Sequence, residues 1–342
     1  MKKIILIIAL FFICISNVNA SYVVFDQDNK NVLYGSSIHE KKLIASITKV
    51  MTAYVVLNNA NLNDIVTVGD EIDEAHGSSI YLKKGEKIKV IDLLYGMMLR
   101  SGNDSAIVLA KHTCGSVEKF VDKMNKDVIS LGLKDTSFQN PTGLDDDNSK
   151  NISSAYDMAY ITSIAMENST FRKIFKTKKY SVTTNLNSHV WYNKNKALFM
   201  DKNITGGKTG YTKKAKRTLI TTSSNNNMNL VIVTLNHSDD FNFHVNNHNN
   251  VFKKYNRYLI LNKSNLNIDD SYYRKNKYRF YLKDNYYLVI QPNELKNISI
   301  NYELYKIKNI HNNDIVEKAK VMNNNNAIYE LPIYISINRK YF

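Results

Sequence analysis

The sequence predicts an α+β fold in which strands flank a helical block and a small all-β domain follows. Short β-like runs occur near the start of the chain and again at 204–237, whereas apolar residues at helical spacing dominate 90–168. After residue 271 the chain has β runs with almost no helical periodicity. Because strands and helices are grouped rather than alternating, we expect a sheet with helices packed on it and not a βαβ array.

The first 20 residues have the pattern of an export signal. Two lysines precede an apolar run over 4–15, and a small-residue cleavage site ends at Ala20. The run is short for a bilayer span, so cleavage after Ala20 is expected, with an uncleaved anchor as the alternative. Either outcome places the protein outside the cytoplasm: in the periplasm, in the cell wall or on the outer face of the cytoplasmic membrane. Without this segment Cys114 is the only cysteine, so no intrachain disulfide is expected.

The chain is strongly basic, with a formal net charge of +15 over 342 residues. A basic protein attracts polyanions. Because an exported protein does not meet nucleic acid, anionic wall polymers or membrane lipid headgroups are the expected electrostatic partners. A composition rich in Lys, Asn, Ile and Tyr can also reflect the base composition of a genome, so the charge alone assigns no function.

The elements follow in order from local patterns. Residues 22–35 predict a hairpin with a polar turn, and 61–90 predict loops and small strands. The first helix is predicted in 45-ASITKVMTAYVV-56, where apolar residues recur at i, i+3, i+4, i+7 and i+8. These residues are Ile47, Val50, Met51, Tyr54 and Val55.

A helical block and a group of strands come next. Helices are predicted at 90–100, 104–113, 116–131 and 155–168. The turn 101–104 separates the first two, the loop 138–151 contains Pro141 and Gly143 as breakers, and Ser153 or Ser154 caps the last. Strands are predicted at 204–212, 217–224 and 229–237, followed by a helix near 246–258 that packs on the sheet.

We therefore divide the chain into a signal segment (1–20), a first domain (21–261) and a C-terminal β domain (271–342), with a polar linker near 262–271. The tail contains β runs at 277–284, 286–292, 297–307 and 327–337, and 323-NNNN-326 is interpreted as a turn. A stalk or spacer is the expected role of this domain, and a binding site is the alternative.

Three short motifs carry chemistry. They are Ser46-Ile47-Thr48-Lys49, Ser101-Gly102-Asn103 and Lys208-Thr209-Gly210. Ser46 and Lys49 are one helical turn apart and can touch. Taken alone they are either a helix cap with a solvated lysine or a nucleophile with its base.

In this order and behind an export signal, the three motifs resemble the S-x-x-K, S-x-N and K-T-G triplet of penicillin-recognising serine acyltransferases. The flanking stretches LLYGMMLRSGNDSA, NPTGLDD, SSAYDMA and GGKTGYTKKAKRTLI are similar to low-molecular-mass penicillin-binding proteins, specifically D-alanyl-D-alanine carboxypeptidases. The resemblance covers about 22–258 and, more loosely, the β tail. It implies a β-lactamase/transpeptidase-like domain, an antiparallel sheet with a helical block, followed by a small β domain.

The resemblance implies a peptidoglycan stem peptide ending in D-Ala-D-Ala as the substrate. Ser46 would attack the carbonyl between the two D-alanines, the last D-alanine would leave, and water would cleave the acyl-enzyme. Penicillin and other β-lactams would mimic the dipeptide and inhibit. Lys49 would be the base, and its pKa, ordinarily about 10.4, would be lowered by burial and by a like charge that Lys208 could supply.

The remaining roles are also carried over from the family. Ser101 would relay a proton to the departing amine, helped by Lys208, and Asn103 would orient Lys49 and the substrate amide. Thr209 would bind the terminal carboxylate.

Gly210 completes the K-T-G motif, and the backbone N–H groups of Ser46 and Tyr211 would form the oxyanion hole. Arg217 is a weaker candidate for the carboxylate, and packing is the expected role of Asn193 and Asn195.

No cofactor or metal is expected, because the eight histidines show no H-E-x-x-H or comparable ligand spacing. Packing or surface positions are expected for His237, His244 and His248, and a buried helical position for Cys114. A solvated loop is expected at 145–147.

Three alternatives remain open. A class A β-lactamase shares the nucleophile but carries S-D-N and a separate glutamate, whereas Gly102 stands in the middle motif here. A catalytically weak wall-binding protein and an endopeptidase acting on peptide crosslinks are the others. The stretch 331-LPIYISINRKYF-342 does not resemble an amphipathic anchoring helix, which leaves membrane attachment open.

Overall fold

The computed structural model describes residues 20–145, 149–266, 268, 278–304 and 311–337. The predicted export signal, residues 146–147 of the acidic loop, the first residues of the predicted C-terminal domain and the chain end after 337 lie outside the described residues. Within the described part of the chain, no helix combines the length and apolar character needed to cross a membrane.

The elements are named in chain order. The helices are α1 (Lys49–Asn59), α2 (Val90–Arg100), α3 (Asn103–Cys114), α4 (Val117–Ser130), α5 (Ala155–Ala165), α6 (Ser169–Lys176), α7 (Ala197–Met200) and α8 (Asp240–Lys254). The strands of the first part are β1 (Ser21–Asp26), β2 (Asn31–Ser36), β3 (Lys42–Leu43), β4 (Ile65–Thr67), β5 (Lys87–Lys89), β6 (Ile152–Ser153), β7 (Lys179–Thr183), β8 (Ser188–Tyr192), β9 (Ile204–Thr212), β10 (Lys216–Asn225) and β11 (Met228–Leu235). The strands of the tail are β12 (Asn256–Leu261), β13 (Tyr278–Tyr281), β14 (Tyr286–Ile290), β15 (Ile298–Leu304), β16 (Ile315–Asn323) and β17 (Asn326–Ile337).

The central sheet joins strands from both ends of the first domain. Its order is β2-β1-β11-β10-β9, and all neighbours are antiparallel. The predicted N-terminal hairpin is therefore confirmed. The predicted β10–β11 hairpin is also confirmed, and its turn residues Asn226 and Asn227 both have positive φ, as a tight hairpin turn requires.

The two faces of this sheet bury different sets of side chains, because successive residues of a strand point to opposite faces. Phe25, Ile220 and Val233 pack with the helical block in the main core. Val24, Leu230 and Ile232 pack on the other face, together with Val251 of α8. The sheet is thus the wall between the helical block and α8.

Several elements differ from the sequence prediction. The helix expected near 246–258 begins at Asp240 and ends at Lys254, and 256–258 belong to β12. The reason is that α8 is rich in Asn and buries two histidines, so hydrophobic spacing marks it poorly. Helix α6, hairpin β7–β8 and helix α7 were not predicted.

The tail forms two small sheets, with orders β12-β14 and β13-β17-β16-β15. It has its own apolar core, which includes Leu288, Val321 and Ile333. Strand β12, placed by the sequence in the first domain, pairs with β14 of the tail. Strand β16 was not predicted, and the NNNN turn is confirmed between β16 and β17.

Candidate active site

Ser46 lies in a short 3-10 turn, Ala45–Thr48, that leads directly into α1. It is not the helix cap, because α1 begins at Lys49 and the residue before it is Thr48. Ser46 is partly exposed whereas its neighbours Ala45 and Ile47 are buried. The turn therefore presents the Ser46 hydroxyl to the surface.

The loop that contains Pro141 packs against this turn. Ala45 has a φ of 48°, in the left-handed region, and a Cβ on Gly143 would come within 2.0 Å of the Ala45 carbonyl oxygen. Only glycine fits at 143, so the NPTG loop can approach the nucleophile turn closely.

Lys49 is fully buried, with 0% of its surface exposed. Its Nζ lies 2.7 Å from Asn103 Oδ1, 2.5 Å from the Thr142 carbonyl oxygen and 3.2 Å from Ser46 Oγ. The prediction of a contact between Ser46 and Lys49 is confirmed. Thr142 was not singled out in the sequence, although it lies in the quoted NPTG stretch.

Burial first and the nearby charge of Lys194 second lower the pKa of Lys49 from 10.5 to about 7, against the opposing effect of Asp104. Burial removes water that would stabilise the charged form, and a like charge repels it. From the sequence, Lys208 was expected to supply the like charge that lowers the pKa of Lys49. In the structure it comes from Lys194, a residue that sequence reasoning missed.

Ser101 and Asn103 lie between α2 and α3. Ser101 has φ 67° and ψ 32°, so it ends α2 in the left-handed conformation. Such a conformation costs a non-glycine residue about 1–3 kcal/mol and persists only where surrounding contacts hold it. Asn103 opens α3 and donates through Nδ2 to the His76 carbonyl oxygen at 2.5 Å, which directs its Oδ1 to Lys49.

Asp104 anchors the wall of the cleft that carries Asn103, a role that the sequence did not indicate. Its buried carboxylate accepts hydrogen bonds from the backbone N–H groups of Ile80 and Leu82 and from the Ser79 hydroxyl. The loop 79–82 is thereby wrapped around the residue that follows Asn103.

Lys208 projects from β9 toward the same cleft and is 2% exposed. Its Nζ donates to Ser101 Oγ at 3.0 Å and to the Thr209 carbonyl oxygen at 2.7 Å. Burial lowers the pKa of Lys208 well below its usual value, and the charges of Lys49 and then Lys194 act in the same direction. The second and third motifs are thus joined by a direct contact.

β9 forms the edge of the central sheet and passes close to the nucleophile. A Cβ on Gly210 would lie 2.9 Å from the Ser46 backbone nitrogen and 2.4 Å from Thr218 Oγ1. Thr209 is partly exposed, and Tyr211 is exposed. An edge strand leaves a row of backbone N–H and C=O groups without a strand partner, so it can pair with an extended peptide.

Lys194 stands where hairpin β7–β8 meets this cleft. Its backbone N–H donates to the Leu99 carbonyl oxygen at 3.1 Å. Its Nζ donates to Ser78 Oγ at 3.2 Å, and the Ser78 carbonyl oxygen accepts from the Asn103 N–H at 2.7 Å. A third lysine is therefore tied to the segment that positions Asn103.

The weaker candidates have structural partners. Arg217 pairs with Asp240, with Nη2 2.5 Å from Oδ1, and lies over the Phe241 ring. Asn193 donates to the Thr177 carbonyl oxygen, and buried Asn195 packs against Gly207. His244 and His248 are buried, which selects packing from the two expected kinds of position, whereas Cys114, expected to be buried, is only half-buried. Among the described residues, no group of three or more His, Cys, Asp or Glu side chains is arranged to hold a metal ion.

A family model described as D-alanyl-D-alanine carboxypeptidase matches residues 16–239. The chain is 34% identical over 219 residues to D-alanyl-D-alanine carboxypeptidase DacF of Bacillus subtilis, a match that covers 62% of this chain and 56% of that protein. It is 35% identical over 227 residues to D-alanyl-D-alanine carboxypeptidase DacA of Haemophilus influenzae, with 63% and 56% covered. The chain thus spans about half the length of the curated relatives it matches.

The likeness of solved structures extends over both parts of the chain. Penicillin binding protein 5 from Haemophilus influenzae superimposes with a TM-score of 0.77 at 26% identity, covering 93% of this chain and 96% of that chain. Penicillin binding protein 6B from Escherichia coli gives a TM-score of 0.70 at 25% identity, with 93% and 94% covered. The predicted fold class, a transpeptidase-like domain followed by a β domain, is confirmed.

Proposed function

The chain belongs to the D-alanyl-D-alanine carboxypeptidase family, and from this premise we propose that it is a serine-type carboxypeptidase that removes the terminal D-alanine from peptidoglycan stem pentapeptides. The reaction passes through an acyl-enzyme on Ser46, and β-lactams inhibit it. Its place is outside the cytoplasm, where the wall is remodelled. The catalytic unit begins after the export segment and ends before β12, whose pairing with β14 favours assigning it to the β domain.

One observation carries the proposal, namely the three neighbours of Lys49 Nζ. A neutral amine has two N–H donors and one lone pair. Asn103 Oδ1 and the Thr142 carbonyl oxygen are acceptors only and lie at 2.7 and 2.5 Å, so they take the two N–H groups. The lone pair is then left for the Ser46 hydroxyl at 3.2 Å, which is the geometry of a general base and its nucleophile.

Acylation uses both lysines. Ser46 Oγ attacks the carbonyl carbon of the penultimate D-alanine while its proton passes to Lys49. The negative charge on the carbonyl oxygen is stabilised by the backbone N–H groups of Ser46 and Tyr211, and one such donor is typically worth about 2.7–4 kcal/mol. The bond to the last D-alanine breaks as Ser101, in contact with Lys208, relays this proton from Lys49 to the departing amine, so that Lys49 is neutral again and Ser101 keeps its own proton.

Deacylation returns the enzyme to its starting state. Water attacks the ester carbonyl, a proton of that water is taken by Lys49, and Ser46 leaves with a proton restored. A β-lactam carbonyl is attacked in the same way, but its leaving nitrogen stays tethered to the adduct and keeps water out. This accounts for slow release of the inhibitor.

The substrate carboxylate is bound at the end of the cleft that Thr209 and Lys208 of β9 line. Thr209 donates its hydroxyl, Lys208 adds charge, and Gly210 lets β9 lie against Ser46. When Lys49 is neutral it no longer lowers the pKa of Lys208. Burial, the largest cause of the lowered pKa of Lys208, remains, so the charged form of Lys208 depends on the opposite charge of the bound carboxylate.

The first experiment compares wild type with Ser46→Ala by labelling with a fluorescent penicillin. We expect a stable covalent adduct with wild type and none with the variant. Absence of an adduct with folded wild-type protein would exclude the acyl-enzyme mechanism.

A second assay separates the alternatives. D-Alanine release from a muramyl pentapeptide with slow penicillin turnover supports the carboxypeptidase. Fast penicillin hydrolysis without D-alanine release would favour a β-lactamase, and cleavage restricted to crosslinked dimers would favour an endopeptidase. An adduct with no turnover of any peptide would indicate a catalytically weak wall-binding protein.

A further inference from the structure

Beside the cleft, hairpin β7–β8 and helix α7 present an exposed face that the proposed chemistry does not use. It consists of Lys178, Lys179, Val190, Tyr192, Phe199 and Met200, which we call the hairpin face. Tyr192 and Phe199 are 54% and 58% exposed. Of the fourteen large apolar side chains that are exposed in the described part of the chain, five lie within 186–200. Such a concentration of exposed apolar groups marks an interaction surface.

The charge of this segment is of one sign. Residues 169–200 contain seven lysines and arginines and no aspartate or glutamate. Lys178 Nζ lies 5.0 Å from the centre of the Phe199 ring, and Lys179 Nζ lies 5.4 Å from that of Tyr192. The lysines and rings of the hairpin face are therefore interleaved, which suits a partner that is both anionic and able to pack on rings.

The hairpin is held rigidly from its inner side. His189 Nε2 lies 2.7 Å from the buried Glu86 carboxylate, and Tyr180 stacks on Tyr95 with ring centres 3.8 Å apart. At the hairpin tip, Asn185 Oδ1 accepts from the Lys87 N–H at 2.7 Å. The outer side chains contribute little to this anchoring, so the hairpin face is preorganised for binding at low entropic cost.

The hairpin face is continuous with the cleft through Lys194. This residue follows Tyr192 by two positions, and its charge lowers the pKa of both Lys49 and Lys208. Its Nζ contacts Ser78, whose carbonyl oxygen holds the Asn103 N–H. The segment that carries Tyr192 therefore leads directly into a residue that contacts the cleft wall.

We propose that the hairpin face binds a strand of the wall polymer that carries the stem peptide. The inference rests on the proposed function and deepens it by naming a polymeric substrate. The C–H faces of sugar rings pack on Tyr192 and Phe199, and the carboxylates of the glycan–peptide strand meet Lys178 and Lys179. An anionic lipid surface shares this chemistry, but the glycan–peptide strand is favoured because the hairpin face is connected to the cleft through Lys194.

Binding energy from remote parts of a substrate can be used at the reacting centre, so truncated substrates react less efficiently. The enzyme should therefore favour strands over a short peptide. The readout is the ratio of kcat/KM for D-alanine release from soluble glycan strands bearing uncrosslinked pentapeptides to kcat/KM for a diacetylated Lys-D-Ala-D-Ala tripeptide.

The test uses two double variants of the full chain, Tyr192→Ala/Phe199→Ala and Lys178→Gln/Lys179→Gln. We expect each to lower this ratio roughly tenfold, and the lysine variant to lose the salt sensitivity of the strand reaction. The matched controls are Ile65→Ala/Ile129→Ala, exposed apolar positions elsewhere, and Lys253→Gln/Lys254→Gln on α8. The controls should leave the ratio as it is in wild type.

Two results would overturn the proposal: an unchanged ratio, whether both rates are kept or both fall equally, and loss of binding to phosphatidylglycerol vesicles with strand kinetics intact. Failure of the proposed function is recognised separately, because wild type would then release D-alanine from neither substrate. Cosedimentation of glycan strands with a Ser46→Ala protein, with and without the hairpin substitutions, tests the hairpin face independently of turnover. Equal strand binding with and without the hairpin substitutions would also overturn the proposal.

Discussion

Two clusters of buried ionisable groups lie on opposite faces of the central sheet. On the cleft face, Lys49 and Lys208 each contact a serine hydroxyl. On the α8 face, His244 and His248 are also bonded to hydroxyl groups. In both clusters burial is the largest cause of a lowered pKa, so a perturbed pKa does not by itself tell the two apart.

The histidine cluster is closed. Thr221 Oγ1 lies 2.7 Å from both His244 Nδ1 and His248 Nε2. The other ring nitrogens meet Thr234 at 3.0 Å and Ser223 at 2.6 Å. Every ring nitrogen is thus bonded to a buried hydroxyl, and no partly exposed nucleophile belongs to the set. Such a network stabilises the packing of α8 on the sheet.

The lysine cluster differs because one of its contacts opens to the surface. Ser46 is partly exposed, and β9 runs beside it as an edge strand. The comparison teaches that a buried, pKa-shifted group becomes a functional candidate when it also touches an accessible reactive atom.

The largest effect that separates the clusters is expected for Lys49→Ala. Loss of a general base typically costs about 10²–10⁴-fold, so the penicillin acylation rate should fall by that amount while the thermal unfolding transition is kept. Stopped-flow acylation measures the rate, and Lys253→Ala is the control. Normal acylation of Lys49→Ala at neutral pH would refute the assignment of Lys49 as the base.

A smaller effect is expected in the pH dependence. Lys49 must be neutral to accept a proton, and its pKa is about 7. The acylation rate should therefore be low at pH values below 7 and rise as the pH increases through 7. Lys194→Gln removes a like charge. This raises the pKa of Lys49 and moves the pH at which the acylation rate rises to a higher value. The shift should be less than about one pH unit, because burial is the larger cause.

The pH profile is measured for wild type, Lys194→Gln and the nearby control Lys196→Gln. The comparison between clusters is sharpened if only the Lys194 variant changes the pH at which the acylation rate rises. If the acylation rate of Lys194→Gln rises at the same pH as that of wild type, Lys194 does not act on Lys49.

The smallest effect on acylation, close to none at pH 7.5, is expected for His248→Gln. Stability should nevertheless fall, by about 1–3 kcal/mol, because the Thr221 and Ser223 hydroxyls lose a well-placed buried partner. Urea unfolding at pH 7.5 measures the loss. A large fall in acylation rate with unchanged stability would contradict the division between a catalytic and a structural cluster.

The histidines also predict acid sensitivity of the fold. The pKa of His248 is lowered from 6.5 to about 3 in the folded protein, by burial, and that of His244 is lowered in the same direction. The unfolded chain therefore binds protons more readily. This contribution to stability is fully present above pH 6.5 and is lost as the pH falls from 6.5 toward 3.

Unfolding midpoints in urea between pH 7.5 and 4.5 test this expectation, with His248→Gln as the comparison. The wild-type midpoint should decline with acid more steeply than that of the variant. Parallel declines would assign the acid sensitivity to other groups.

Much of the molecule was readable from local patterns. The bounds of α2 and the helical spacing of Ile47, Val50 and Met51 follow from periodicity, which is a property of neighbouring residues. The three motifs were readable because S-x-x-K places two side chains one turn apart, and because a family resemblance linked segments that spacing alone cannot join.

Other features depend on contacts between distant segments and have no local signature. Tertiary packing brings the Thr142 carbonyl to Lys49, makes Lys194 the nearby like charge, and wraps loop 79–82 around Asp104. The unpredicted hairpin β7–β8 alternates apolar and polar residues weakly, because its outer face keeps large apolar side chains in solvent.

The sequence by itself determined the grouping of strands and helices, which depends on periodicity, and it carried the acyl-transfer motifs, which were identified by their resemblance to a known family. Only the tertiary structure decided how Lys49 comes to be buried with a lowered pKa in contact with Ser46, and that His244 and His248 are bonded to buried hydroxyl groups. The reason is physical: the pKa of a side chain and its accessible partners are set by burial and by charges that reach it from other elements, and these do not exist until the chain has packed.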